Sequence, residues 1–206
     1  MNKKIVLIFV LTLIAIAVLY LYSFGPLSGR RIAHKLNPAS LKPAQTQQFT
    51  VNNKPQIFNI YHNKDLKENY YTVKLPQDWQ VQSGNAAGSF ALRYPGGYGA
   101  AELMDVPDNT TLELYILSQE EPRLKKTLAG YRRVDYAKIT ANVNNAESFQ
   151  LVYAGTISGK AYQTVRTYIA GPDHAGVITL SARQKDYSRL KALFASIIGS
   201  FQWENR

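Results

Sequence analysis

The sequence predicts an α+β domain: an antiparallel β-sheet flanked by α-helices, preceded by one transmembrane helix. Three observations lead there. Evenly spaced strand-like runs, closed by Gly, Pro or Asn, dominate residues 56–206. Two stretches of that region switch to helical spacing. An uncharged apolar run of 18 residues occupies positions 5–22, and at ~1.5 Å per residue it spans about 27 Å, roughly one hydrocarbon core.

That run follows Asn2, Lys3 and Lys4, and Thr12 is its only clearly polar member. It exceeds the ~7–15 apolar residues of a cleavable signal peptide, so residues 1–24 read as an uncleaved signal anchor. The alternative is a removed signal peptide. Its best cleavage candidate is Ser23-Phe24-Gly25, which lacks an Ala-x-Ala site and runs straight into Pro26. Lys-Lys ahead of the run is the usual start of an exported chain. It places the C-terminal domain outside the cytoplasm, in a periplasm or at a cell surface. Arg30, Arg31 and Lys35 on the far flank leave the cytoplasm-facing orientation open.

Residues 25–55 read as a basic, Pro-containing linker. Pro26, Pro38, Pro43 and Pro55 interrupt any helix, and no period is sustained. The first acidic residue of the chain is Asp65, so the stretch from Gly25 to Lys64 holds six positive charges, Arg30, Arg31, Lys35, Lys42, Lys54 and Lys64, and no negative one. One reading is a solvated tether. The other is attraction to anionic lipid headgroups, about 1 kcal/mol per basic residue near the surface. As a random chain, ~30 residues reach about 30 Å, which keeps the domain near the bilayer.

Within 56–206 the elements follow in order. Ile57, Phe58, Ile60 and Tyr61 form a short apolar run. Tyr70 to Leu75 is a strand turned by Pro76-Gln77-Asp78-Trp79. Phe90 to Tyr94 is broken by Pro95-Gly96-Gly97, and Ala100 to Val106 resumes until Pro107-Asp108-Asn109. Thr110 and Glu113 are spaced as a capping box, and Leu112, Tyr115, Ile116 and Gln119 recur at helical intervals. This predicts a helix over 111–121 and a second, continuous or kinked, over 122–129, with Pro122 at its first position. Strands at 131–143, 149–154, 162–170 and 177–182 form an antiparallel meander. Leu190, Leu193, Phe194, Ile197 and Ile198 mark an amphipathic helix ended by Gly199.

This order of signals resembles the PsbP-like family, whose fold is shared with the DcrB lipoproteins and the Mog-type proteins. Four points carry the resemblance: the strand from Tyr70 ending in Pro76-x-x-Trp79, the helix entry Asn109-Thr110-Thr111-Leu112, the Gly-closed meander over 131–183, and Phe194-x-x-Ile197-x-x-Ser200-Phe201. Residues 57–203 are covered, about 70% of the chain. The resemblance implies a central antiparallel sheet with helices on both faces. It also implies a mostly non-catalytic role, since the best-known members are extrinsic subunits or assembly factors of photosynthetic complexes. The chain departs from those soluble subunits in keeping an apolar N-terminal run, which favours a permanently tethered relative.

Composition closes off several chemistries. The 206 residues contain no Cys, which excludes disulfides, thiolate metal sites, a Cys nucleophile and a Cys-linked lipid. No Ser stands in a Gly-x-Ser-x-Gly context. The glycine-rich stretch 94–99 precedes a strand rather than a helix, so it reads as a hairpin turn and not a phosphate loop. His34, His62 and His174 are scattered, and none has metal-helix spacing. Asp65 and Glu68 near His62, and Glu102, Asp105 and Asp108 together, are weak cation candidates that read more simply as polar turns and a solvated strand end. Asn109-Thr110-Thr111 fits a glycosylation sequon but is read as a helix entry.

The net charge is +10, and Arg123, Lys125, Lys126, Arg132 and Arg133 cluster within eleven residues. With Arg30, Arg31 and Lys35 they are the candidate contacts for a protein partner in a membrane complex or for anionic lipid. Nucleic acid is not expected as a partner. The expected protein is a membrane-tethered, non-catalytic interaction domain without cofactor or metal, an accessory subunit or assembly factor of a membrane complex, photosynthetic or electron-transport. The alternative is an extracytoplasmic domain that binds a small ligand, a lipid or a metal.

Overall fold

The computed structural model describes residues 45–51, 54–62, 70–84, 89–140 and 146–204. The chain divides into two units, Met1–Asn37 and Pro38–Arg206, and all described residues belong to the second. The expected anchor at 1–24 lies outside the described residues. Among the described residues, no helix is long and apolar enough to cross a membrane.

Two antiparallel sheets form the domain. The larger contains β4 (Gln80–Ser83), β5 (Phe90–Tyr94), β6 (Gly97–Met104), β10 (Ala175–Arg183), β9 (Lys160–Ala170), β8 (Glu147–Ile157) and β7 (Ala129–Thr140), in that spatial order. The smaller orders β1 (Gln45–Val51), β2 (Lys54–His62), β3 (Tyr70–Pro76) and β11 (Gln202–Glu204). β7 to β10 are the expected meander. The second sheet departs from the single-sheet expectation. Pro76 ends β3, Trp79 N donates to Pro76 O, and this tight turn sends β4 into the other sheet. The last part of the stretch read as a linker is also strand, because β1 pairs with β2 along its whole length.

Alternation gives the large sheet two different faces. On β10, Ile178, Leu180 and Ala182 point one way, while Ala175 and Val177 point the other. On β8, Val152 opposes Phe149, Leu151 and Tyr153. The first face shares a core with the small sheet and with α3 (Gln184–Gly199), through Leu190, Leu193, Phe194, Ile197 and Ile198. Gly199 is the last helical residue. Ser200, in right-handed helical backbone, is the C-cap, and its Oγ donates to Ile197 O.

The second face is covered by one continuous helix in three parts: α1 (Leu112–Tyr115), a π-helical turn (Ile116–Glu120) and α2 (Glu121–Thr127). Its N-cap is Thr111, whose Oγ1 accepts from Leu114 N. The capping-box spacing from Thr110 was therefore one residue early. Thr110 instead closes a backbone turn on Pro107 O. Helices thus lie on both sides of the large sheet. The turn after Tyr94 is the expected hairpin, with Gly96 at φ 85°, a conformation that favours glycine. A Cβ on Gly97 would run into Ser181 O and the Tyr94 ring, so the approach of β6 to β10 requires the missing side chain.

Candidate functional site

The face beneath α1 and α2 carries the domain's buried charge. Strand register sets it out. On β9, Thr164, Arg166 and Tyr168 face the helix, with Arg166 opposite Thr179 on β10 and Leu151 on β8. Glu102 on β6 lies opposite Val177 of β10, whose β9 neighbour is Tyr168. Arg166 therefore has acceptors on three strands. Its Nε donates to the Tyr168 hydroxyl at 3.1 Å, Nη1 to Thr179 Oγ1 at 2.8 Å and Nη2 to Glu102 Oε1 at 3.0 Å. A fourth bond, from Nη2 to Glu120 Oε2 at 3.1 Å, joins the sheet to the helix. Only 11% of the Arg166 side chain and 7% of Glu120's is exposed.

Glu120 and Glu121 are adjacent and both buried. They sit where the π turn meets α2, marked by the bond from Glu121 N to Ile116 O. Pro122 follows in the first turn of α2, as expected. Glu120 accepts two bonds from Arg123, from Nε at 3.0 Å and Nη2 at 2.9 Å. Glu121 accepts from the Tyr131 hydroxyl at 3.0 Å and from Arg133 Nη1 at 3.1 Å, with Lys125 Nζ at 3.3 Å. One carboxylate thus ties the helix to the sheet centre and the other ties it to the edge strand β7.

Burial pushes the Glu120 carboxyl up, but the hydrogen bond from Arg123 and the charge of Arg166 outweigh it, and the group is held below the usual range. Burial likewise opposes the Arg166 charge, and Tyr168, Glu102 and Glu120 outweigh it, so the guanidinium is raised. A folded-state depression at Glu120 is stability that is complete above the unfolded value of about 4.3 and lost as pH falls through the folded value. Glu120→Gln should therefore lower the urea midpoint at pH 7 and flatten its decline on acidification below about pH 4. Parallel acid profiles for the two proteins would refute this role.

The structure brings Arg123, Lys125 and Arg133 together along the seam between α2 and β7, with Lys126 next to Lys125 on the helix, while Arg132, opposite Ala154 in the ladder, starts from the other face of the edge strand. Arg123, Lys125 and Arg133 have their inner ends on Glu120 and Glu121 while about half of each side chain remains exposed. Lys126 and Arg132 are exposed and, among the described residues, make no ion pair. Arg30, Arg31 and Lys35 lie outside the described residues, as do His34, Asp65, Glu68 and the His62 side chain. Glu102, Asp105 and Asp108 do not converge: Glu102 turns to Arg166, and Asp105 Oδ1 stands 2.7 Å from His174 Nδ1. Among the described residues, no three His, Asp or Glu side chains are placed to hold a metal ion. His174 borders a shallow cavity of about 330 Å³ at one end of the sheet, lined also by Asp108, Thr110, Pro172 and Asp173.

Sequence reasoning missed the Glu102–Arg166–Glu120 network. The available signals were an arginine among the apolar residues of a central strand and two consecutive glutamates before Pro122.

No protein-family model matches the chain. No curated protein matches it either. Among solved structures, cyanobacterial PsbP (CyanoP) from Synechocystis sp. PCC 6803 matches with a TM-score of 0.52 at 12% identity, over 81% of this chain and 97% of that one. LpqN, involved in cell envelope biogenesis of Mycobacterium tuberculosis, matches with a TM-score of 0.44 at 14% identity, over 78% and 91%. A Pseudomonas aeruginosa protein of unknown function matches with a TM-score of 0.45 at 11% identity, over 76% and 96%. The CyanoP match assigns a PsbP-like fold to this domain.

Proposed function

We propose that the chain is a membrane-tethered, non-catalytic interaction domain that docks on an anionic surface through Arg123, Lys125, Lys126, Arg132 and Arg133. In this reading the apolar run at 5–22 is the tether, the domain stands outside the cytoplasm, and the protein is an accessory subunit or assembly factor of a membrane complex. The family resemblance suggests a photosynthetic or electron-transport host.

The observation that carries the reading is the seam itself. Two buried carboxylates hold the inner ends of three cations while their outer parts stay in water. Ordering long basic side chains costs entropy on association, and here part of that ordering is already present. Confinement to a thin layer beside the bilayer raises effective concentration, so weak contacts suffice.

Lys125→Glu, Lys126→Glu and Arg132→Glu combined should release a co-purifying partner from detergent extracts, with at least about tenfold loss of retention at moderate salt. The urea midpoint should move little, because of these three only Lys125 touches a buried group. Unchanged retention would remove the seam as a protein-docking surface.

A second reading, ligand binding, rests on the cavity beside His174. Native mass spectrometry of the extracted protein would favour it if one small molecule or metal ion accompanied each chain.

A further inference from the structure

We propose that the anionic surface is the lipid bilayer itself, and that Leu114, Leu117 and Val134 enter its headgroup region beside the five cations. This rests on the interaction-domain reading and specifies its partner.

Large apolar side chains are exposed on the covering helix, Leu114 at 55% and Leu117 at 37%, and on the neighbouring edge strand, Val134 at 42%. Leu117 stands one helical turn before Glu121, whose carboxylate holds Arg133 and Lys125. Val134 directly follows Arg133, in the irregular stretch of β7 where the register shifts. Leu114 stands close to a turn before Leu117. Leu114 and Leu117 therefore occupy the turns just before the cations of α2, and Val134 lies next to Arg133 in sequence. A helix face with projecting leucines and flanking Lys and Arg has the chemistry of an interfacial membrane contact, with apolar groups entering the acyl boundary and cations on lipid phosphates. Lysine, as at Lys125 and Lys126, is depleted at protein–protein interfaces and contributes fully on an anionic leaflet, while the three arginines suit either surface. Glu113 and Asp135 are exposed next to Leu114 and Val134, so the cations have these two carboxylates to outweigh. A chain tethered within about 30 Å of the headgroups also meets lipid at far higher local concentration than any protein.

The absence of Cys makes the test clean. The full chain is reconstituted in nanodiscs with a polarity-sensitive fluorophore on Leu114→Cys, or on Ala195→Cys as control. Ala195 is exposed on α3, across the sheet. In discs with roughly one-third phosphatidylglycerol, the Leu114 label should shift blue and be quenched by lipid-borne quencher. It should stay water-like in phosphatidylcholine and return to water-like at ~0.5 M salt. The Ala195 label should not respond to lipid charge. An unchanged Leu114 label in anionic discs overturns the proposal. If that label stays wet on lipid but buries when a co-purified protein is added, the bilayer assignment falls and the interaction-domain reading stands. If Lys126→Glu with Arg132→Glu alters neither the label nor partner retention, both fall.

Discussion

Arg166→Met is expected to destabilise the domain by about 3–5 kcal/mol, measured by urea unfolding at pH 7. The cost is not the worth of an ion pair. Removing the guanidinium deletes four hydrogen bonds at once, to Tyr168, Thr179, Glu102 and Glu120. Glu120 keeps both bonds from the half-exposed Arg123 but loses the buried cation that offsets its desolvation, and Glu102 loses its ion pair. Arg166→Lys should rescue only part of the loss, because one ammonium cannot span acceptors on three strands and a helix. Arg166→Met combined with Glu120→Gln should lose less than the sum of the two single variants, since the Arg166–Glu120 bond can be lost only once. Additive losses, or a cost below about 1 kcal/mol for Arg166→Met, would mean that the network does not hold helix to sheet.

Phe201→Ala should cost a similar amount, about 3–5 kcal/mol, through a different mechanism. Phe201 is 1% exposed and links the two sheets. Its ring stacks on Tyr71 of β3 with centroids 5.0 Å apart, meets Trp203 edge-on at 5.1 Å and lies over Gly176 of β10. Truncation leaves a cavity that β3 and β10 cannot both collapse into, because each is fixed by its own ladder. The complementary change, Gly176→Val, places branched carbon where the Phe201 ring sits and should destabilise by about 1–3 kcal/mol through overpacking. Thermal unfolding measures both. A well-tolerated Phe201→Ala would show that the small sheet stands without this clasp.

The elements that could be read from sequence are those whose signal is local. The helix carrying Leu190 to Ile198 shows its apolar stripe over three turns, and the meander strands are long enough to display alternation between turn residues. β1 was invisible because Gln45-Thr46-Gln47-Gln48 offers no apolar face, and pairing with β2 makes it a strand. β11 has three residues, too few for any period. The π turn has no sequence pattern of its own. It follows from docking Glu120 and Glu121 together on the sheet side. The buried network was hidden for another reason: a charged residue taken alone reads as surface, and the carboxylates that make Arg166 tolerable inside lie 64 and 46 residues away in sequence. The basic seam was legible as a cluster, but its division into inner anchored and outer free cations required the fold.

The pairing of β11 with β3 bears on how the domain is made. Ser200 Oγ accepts from Lys74 N across a separation of 126 residues, and Trp203 Nε1 closes onto Ala170 O. During synthesis, β1, β2 and β3 emerge early, yet β3 lacks its outer neighbour β11 until everything between has been translated. Such distant closure is slow, and meanwhile the aromatic side of β3 stays uncovered. Tyr71 thus gains the ring that stacks on it only when Phe201, more than a hundred residues later, has been made.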